Sequence, residues 1–355
     1  MFTKKLLFSL IFLILCIIPA TAQVDFHPMD IEIQAESGEI LEVGITITNE
    51  GEELFEWTIP SHPLRGENYE PWELIRSYDF GETVDDPSLY GVAFVENQFF
   101  VAGSNDGDPQ IYVFSIEGEL IRQFSQPIEH RHGMKDLTWD GELLWGSIDR
   151  KVYGFSTWGE VEQEWEAPYY PTTAITYDSE RNIFWLGATT NDPVAMDREG
   201  DIIDGMELDR LGMRIYGLAY WESSTDDNKL LVHHKDRETN QQMVMGLNPI
   251  TGDTTGISTL LPEAGGVPQG VFVTEQYDSN SWVIMTMVNN ANRDRVDVWQ
   301  IRNNWYYIYD IEGSIESNTE QEIILNVGYE SLEQRVYESE LTFLHNFLME
   351  LPLSH

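Results

Sequence analysis

Two histidines stand one residue apart in the segment Glu129-His130-Arg131-His132-Gly133-Met134-Lys135. In an extended segment alternate side chains point the same way, so both imidazoles could meet one transition metal, with Asp149 or His234 completing the set. Asp149-Arg150, Asn191-Asp192, His233-His234 and Asn289-Asn290 recur at comparable places farther along the chain. The ligand-binding residues expected from this pattern are His130, His132, Lys135, Asp149, Arg150, Asn191, Asp192, His233, His234 and Asn290. Tyr90, Trp139, Tyr216 and Trp221 would offer aromatic faces to a sugar or peptide. Hard oxygen donors suited to calcium occur at Asn105, Asp106 and Asp108, and again in Asp226-Asp227-Asn228, without the spacing and distal glutamate of an EF-hand loop. No Ser-His-Asp elbow, HExxH helix, Walker loop or dinucleotide fingerprint is present, so no catalytic residue is assigned.

The residues just named need a scaffold, and the chain contains a repeated one. Five segments open on Gly91-Val92-Ala93-Phe94, Asp136-Leu137-Thr138-Trp139, Ala174-Ile175-Thr176-Tyr177, Gly217-Leu218-Ala219-Tyr220 and Gly270-Val271-Phe272-Val273. Their spacing, roughly 40 to 50 residues, is that of a four-stranded propeller blade. A second apolar strand follows each opening, as in Leu143-Leu144-Trp145, and a third alternates, as in Val296-Asp297-Val298-Trp299. Four segments then carry a glycine-acid turn, at Gly118-Glu119, Gly159-Glu160, Gly200-Asp201 and Gly252-Asp253, before a fourth strand. The fifth segment lacks that turn and strand. The stretch Trp72 to Tyr78, which precedes the first segment, is expected to pair beside Val296 to Ile301 and complete the last blade, hiding an edge that would otherwise recruit other chains. The expected fold is all-β: a five-bladed propeller over 68–303, its loops gathered on one face where function usually sits.

The flanks supply further strands. Ile31 to Ile33, Leu41 to Thr48 and Leu54 to Ile59 precede the propeller, and Trp305 to Ile311, Glu320 to Val327 and Tyr337 to Leu344 follow it. Neither set is large enough to bury a good core alone. The stretches ITITNEGEELFEWTI and WYYIYDIEGSIESNTEQEIILNV resemble the two halves of an immunoglobulin-like domain of secreted bacterial proteins. That resemblance implies one sandwich built from 23–62 and 304–355, with the propeller inserted in one of its loops. The blades, LTWDGELLWGS above all, are similar to those of secreted bacterial propellers related to plant-type glutaminyl cyclotransferases and to NHL-like repeats. This second resemblance is one of pattern and carries over no catalytic residue.

Residues 1–22 read as a secretory signal peptide: Lys4 and Lys5, an apolar run from Leu6 to Ile18, and a small-residue site ending at Ala22. The run is too short to span a bilayer, so cleavage near Ala22 would deliver the chain to the periplasm, the cell surface or the medium, with no membrane insertion. The one cysteine, Cys16, leaves with the leader, so packing and not disulfides must stabilise the mature protein. With 61 acidic against 20 basic residues the net charge is −41, which repels nucleic acid and anionic lipid. A hydrophobic content of 42% excludes a disordered chain. Two functional classes follow. One is a monomeric, non-catalytic binding or surface module for a protein, glycan or peptide, with calcium as its candidate cofactor. The other is an enzyme of the propeller funnel, a metal-assisted hydrolase, lyase or cyclotransferase.

Overall fold

The computed structural model describes residues 6–10, 24–35, 41–59, 71–128, 130–207, 212–222, 224, 227–236, 238–254, 258–261, 265–278, 281–290, 293–303, 306–308, 310, 312–327 and 343–345. The expected cleavage site, Glu129, Asp226 and most of the strand expected at Tyr337 to Leu344 lie outside them. The chain divides into two compact units, one of residues 1–68, 275–282 and 302–355, the other of residues 69–274 and 283–301. Among the described residues no helix is long and apolar enough to cross a membrane.

The larger unit is a succession of four-stranded antiparallel sheets, each a propeller-like blade. Sheet 1 runs Leu89–Val95, Gln98–Gly103, Gln110–Ser115 and Leu120–Ser125, from inner to outer strand. Sheet 2 follows as Leu137–Trp139, Leu144–Ile148, Lys151–Phe155 and Val161–Glu166, and sheet 3 as Ala174–Asp178, Ile183–Ala188, Asn191–Met196 and Ile202–Glu207. Sheet 4 comprises Gly217–Tyr220, Leu230–Lys235, Gln242–Leu247 and Ser258–Leu261. Sheet 5 takes Val267–Asp278, Ser281–Asn289 and Arg295–Asn303 from the end of the repeat region, and its outer strand, Leu74–Tyr78, from before sheet 1. Val296 pairs with Tyr78 and Asp297 with Ser77, the pairing expected from the missing fourth strand.

Local chemistry explains why the segments fold alike. Ser115 ends a third strand and Ser156, Asp197 and Asn248 directly follow one, and each side-chain oxygen accepts two backbone N–H groups of the turn there. The turn glycines Gly118, Gly159, Gly200 and Gly252 adopt the positive φ that such a hairpin requires. Blades 2 and 3 share a second latch, in which an aspartate ending the first strand accepts the indole N–H of a tryptophan in the second. Trp145 donates to Asp140 at 2.7 Å and Trp185 to Asp178 at 3.2 Å. A buried indole N–H thus keeps a partner, which removes the cost of placing tryptophan in the core.

Neighbouring sheets touch through the same positions. An added Cβ at Gly118 would meet Tyr78 at 2.9 Å, one at Gly159 would meet Phe124 at 2.5 Å, and one at Gly200 would meet Trp165 at 2.7 Å. The outer strands of sheets 5, 1 and 2 therefore each lay an aromatic ring against the turn of sheets 1, 2 and 3 respectively.

In the smaller unit the two flanks build one body. Leu41–Asn49 pairs along its whole length with Thr319–Val327, and Phe55–Thr58 pairs with Glu312–Ile315. Val24–His27 and Tyr306–Ile308 complete the first sheet, and Leu344–His345 completes the second. Phe26, Ile45, Ile47, Phe55, Trp57, Ile315, Ile323 and Leu325 form the buried core, contributed by both flanks. Buried Asn49 stitches them together: its amide donates to the Glu53 and Ile315 carbonyls at 2.8 and 2.9 Å. Leu6–Leu10, part of the expected leader, stands beside Ile31–Ala35 as a strand.

Candidate functional site

The inner strands of the larger unit converge on one side chain. Asp136 is fully buried, and its carboxylate accepts backbone N–H groups from four sheets: Leu137 at 3.2 Å, Ile175 at 3.2 Å, Leu218 at 2.9 Å and Val271 at 3.1 Å. These donors each follow the residue that opens their segment. The other four opening residues are Gly91, Ala174, Gly217 and Gly270. Their smallness is required, since a Cβ at Gly270 would lie 2.6 Å from Asp136 Oδ1 and 2.9 Å from the Tyr90 carbonyl oxygen. Burial pushes the Asp136 carboxyl well above the usual carboxylate range, while the four amides pull it down. In the sequence Asp136 reads only as the start of a strand; the signal for its role is a lone charge at a position otherwise held by glycine or alanine.

Just before Asp136 in the chain lies the loop carrying the histidine pair. His130 Nε2 is 3.6 Å from Asp149 Oδ2, and the His130 and His132 rings are 5.3 Å apart. The His132 backbone N–H donates to His130 Nδ1 at 3.3 Å, and Arg131 Nε donates to His132 Nε2 at 2.9 Å. Desolvation, then the charges of Arg131, Lys135 and His130, lower the pKa of His132 against the pull of Asp149. Half-buried Lys135 sets its ammonium 2.8 Å from the centroid of the Tyr90 ring, and burial lowers its pKa to about 7. His130, His132, Arg131, Lys135 and Asp149 thus lie near one another, and Tyr90, one of the aromatics named in the sequence, lies under the Lys135 ammonium.

The turn expected to bind calcium adjoins the same loop, because a Cβ at Gly107 would lie 3.8 Å from Arg131 Cβ. Asp106 and Asp108 are exposed there, and the Asn105 backbone N–H donates to buried Asp86 at 2.8 Å. Among the described residues no three His, Cys, Asp or Glu side chains are grouped to hold a metal ion.

The histidines expected on a loop at 233 and 234 lie instead within the strand Leu230–Lys235, because its apolar neighbours extend the strand through them. His233 is wholly buried, with Nδ1 2.9 Å from the Gln269 carbonyl oxygen and Nε2 2.8 Å from Gln242 Oε1. Both nitrogens are spent on the fold, joining sheet 4 to sheet 5, and burial lowers the ring's pKa to about 4. His234 is also buried, and its Nε2 has no hydrogen-bond partner among the described residues. Asn191 and Asp192 open a strand of sheet 3, Thr190 donating to the Asn191 side chain at 2.8 Å and Tyr169 to the Asp192 carbonyl at 3.3 Å. Asn290 is exposed and its backbone N–H donates to Asp294 at 3.2 Å, while exposed Arg150 presents its carbonyl to the Ala167 N–H at 2.8 Å.

No family model matches the chain, and no curated protein does. Among solved structures, the chain shows a distant, partial likeness to glutaminyl cyclase from Myxococcus xanthus, at 13% identity and a TM-score of 0.46, covering 66% of this chain and 100% of that one. It is also similar to the Pan2 WD40 domain from Neurospora crassa, at 12% identity and a TM-score of 0.38, covering 74% of this chain and 73% of that one.

Proposed function

We propose that this chain is an exported, non-catalytic binding module whose ligand, a protein, glycan or peptide, is recognised at the loop face formed by His130, His132, Lys135 and Asp149. In this reading the five sheets close into a five-bladed propeller, carried in the sequence between the two halves of an immunoglobulin-like sandwich. Contacts between successive sheets near their inner strands favour closure. Gly91 abuts Leu137, Tyr177 N–H donates to Thr138 at 3.2 Å, Gly187 abuts Leu218, and Gly217 abuts Gly270, which in turn abuts Gly91.

One observation carries the functional reading. At the convergence of the inner strands, where a funnel enzyme would keep a free acid or base, the Asp136 carboxylate is consumed by four backbone amides. The accessible polar groups are instead a loop cluster beside an aromatic ring, which suits recognition. Glycan and peptide arrays probed with the full chain test this. Binding that disappears in a His130→Ala/His132→Ala/Lys135→Ala variant of unchanged melting temperature is the expected result. Turnover of a hydrolase, lyase or cyclotransferase substrate by metal-loaded protein would replace the reading with the enzymatic one. Calcium at Asn105, Asp106 and Asp108 is tested separately by titrating metal-free protein; no heat and no melting shift at millimolar calcium would remove it.

A further inference from the structure

The loop face carries an electrostatic anomaly. In a chain of net charge −41, Lys135, Arg131, His130 and His132 are gathered close enough that the first three each disfavour protonation of His132. Among the described residues only Asp149 offsets them there, at 3.6 Å from His130. Lys135 is the most enclosed of the group. Its ammonium lies on the face of Tyr90, and among the described residues it has no carboxylate partner within ion-pair distance. The lysines Lys151 and Lys229 contrast with it, each reaching a glutamate. A cation withdrawn from water normally keeps a counter-charge, because the ring quadrupole of one tyrosine replaces little of the lost hydration.

We propose that a ligand supplies the missing charge, so that Lys135 is an anion-holding residue and the ligand of this face bears a carboxylate. The inference deepens the binding-module reading and rests on it. A single ammonium matches a single negative charge, whereas a phosphate dianion would bring a second one against the chain's net charge of −41. The neighbouring His130, His132 and Arg131 supply further N–H donors to orient the carboxylate, and Tyr90 supplies the apolar wall against which the rest of the ligand would lie.

The test uses the full chain labelled with ¹³C at the lysine ε-carbons, where Lys135, Lys151, Lys229 and Lys235 are the lysines after the leader. The Lys135 resonance is followed against pH in chloride, in acetate and in inorganic phosphate at equal ionic strength. In chloride it should titrate near 7. In acetate its midpoint should rise by about one to three pH units, the effect of one opposite charge in contact. Acetate should raise the melting temperature of the parent and of Lys135→Arg but not of Lys135→Met. If Lys135→Met fails to fold, the resonance of the parent still decides. An unmoved Lys135 midpoint overturns the inference, as does a larger response to phosphate than to acetate. If acetate has no effect while array binding is still lost in the His130→Ala/His132→Ala pair, the carboxylate assignment falls and the binding face stands. If Lys135 answers to acetate but no array ligand binds, the anion site stands and the wider reading fails.

Discussion

The guanidinium of Arg76 donates to the carbonyl oxygen of Glu117 across 3.1 Å, and Arg122 makes the equivalent bond to Thr157 at 3.0 Å. Both arginines lie two residues before the aromatic that covers the next turn glycine, Tyr78 in one case and Phe124 in the other. The strand from before the repeats therefore meets sheet 1 as the outer strand of sheet 1 meets sheet 2. Tyr78 is buried, stacks on Phe80 and donates its hydroxyl to the Ile116 carbonyl at 2.7 Å. Tyr78→Ala should cost about 3–5 kcal/mol by the usual scale for buried aromatics, measured by urea unfolding. A loss below about 1 kcal/mol would show that this strand contributes little to the fold.

Asp136→Ala should be among the most damaging substitutions in the chain. It leaves four inward-facing amides without an acceptor, and each unpaired buried group costs about 1–3 kcal/mol. Asp136→Asn keeps the shape but turns an amide NH2 group toward two N–H donors, so it too should destabilise, by less than alanine does. Equal melting temperatures for Asp136→Asn and the parent would contradict the role given to the carboxylate.

His233 predicts a pH dependence. Its pKa falls from an ordinary 6.5 to about 4 through burial, so the folded state resists a proton that the unfolded chain accepts. The stability contributed by the neutral ring is complete above 6.5 and is lost as pH falls toward 4, by about 3 kcal/mol in all. Asp294 acts oppositely: burial raises it to about 6, so its cost is relieved as pH falls through that value. The decisive measurement is the difference in unfolding free energy between parent and His233→Gln at pH 7 and pH 4.5. A difference that does not change with pH would count against the buried neutral imidazole.

The glycine turns should tolerate no side chain. Gly159 has φ of 91° and its missing Cβ would fall 2.5 Å from Phe124. Gly159→Ala combines backbone strain with a steric clash, and should lower stability by about 2 kcal/mol or more. Gly141, with φ of 97° but open space around it, should lose only the backbone component on substitution by alanine. Thermal melts of the two variants side by side test the distinction.

The smaller unit should not survive division. Thr319–Val327 depends on Leu41–Asn49 for its ladder, and Ile323 and Leu325 are buried in a core shared with Ile45 and Ile47. A fragment of residues 304–355 should show no cooperative melting by circular dichroism, whereas residues 68–303 should. A folded C-terminal fragment would show that the flanks do not need each other.

The strands of the larger unit were legible in the sequence because each is a short apolar run closed by a turn whose residues have one conformational purpose, as at Ser156 and Gly159. The missing outer strand of the last segment was also legible, since a sheet short of one strand and an unassigned strand elsewhere imply each other; the L-I-R-x-aromatic spelling shared by Leu74–Tyr78 and Leu120–Phe124 marks both as outer strands. His130, His132, Asp149 and Lys135 could be gathered on one face because the strand order alone sends their loops to the same end. What the sequence could not decide was the fate of individual polar side chains. His233 and His130 look equally available in a string of letters, yet one is spent between two sheets and the other is half exposed, because burial and pairing depend on neighbours far away in the chain. Asp136 is the clearest instance: its partners at 175, 218 and 271 converge only when the inner strands do. Periodicity and turn chemistry act over a few residues and so survive in sequence, whereas the environment of a carboxylate or an imidazole is a property of the assembled core.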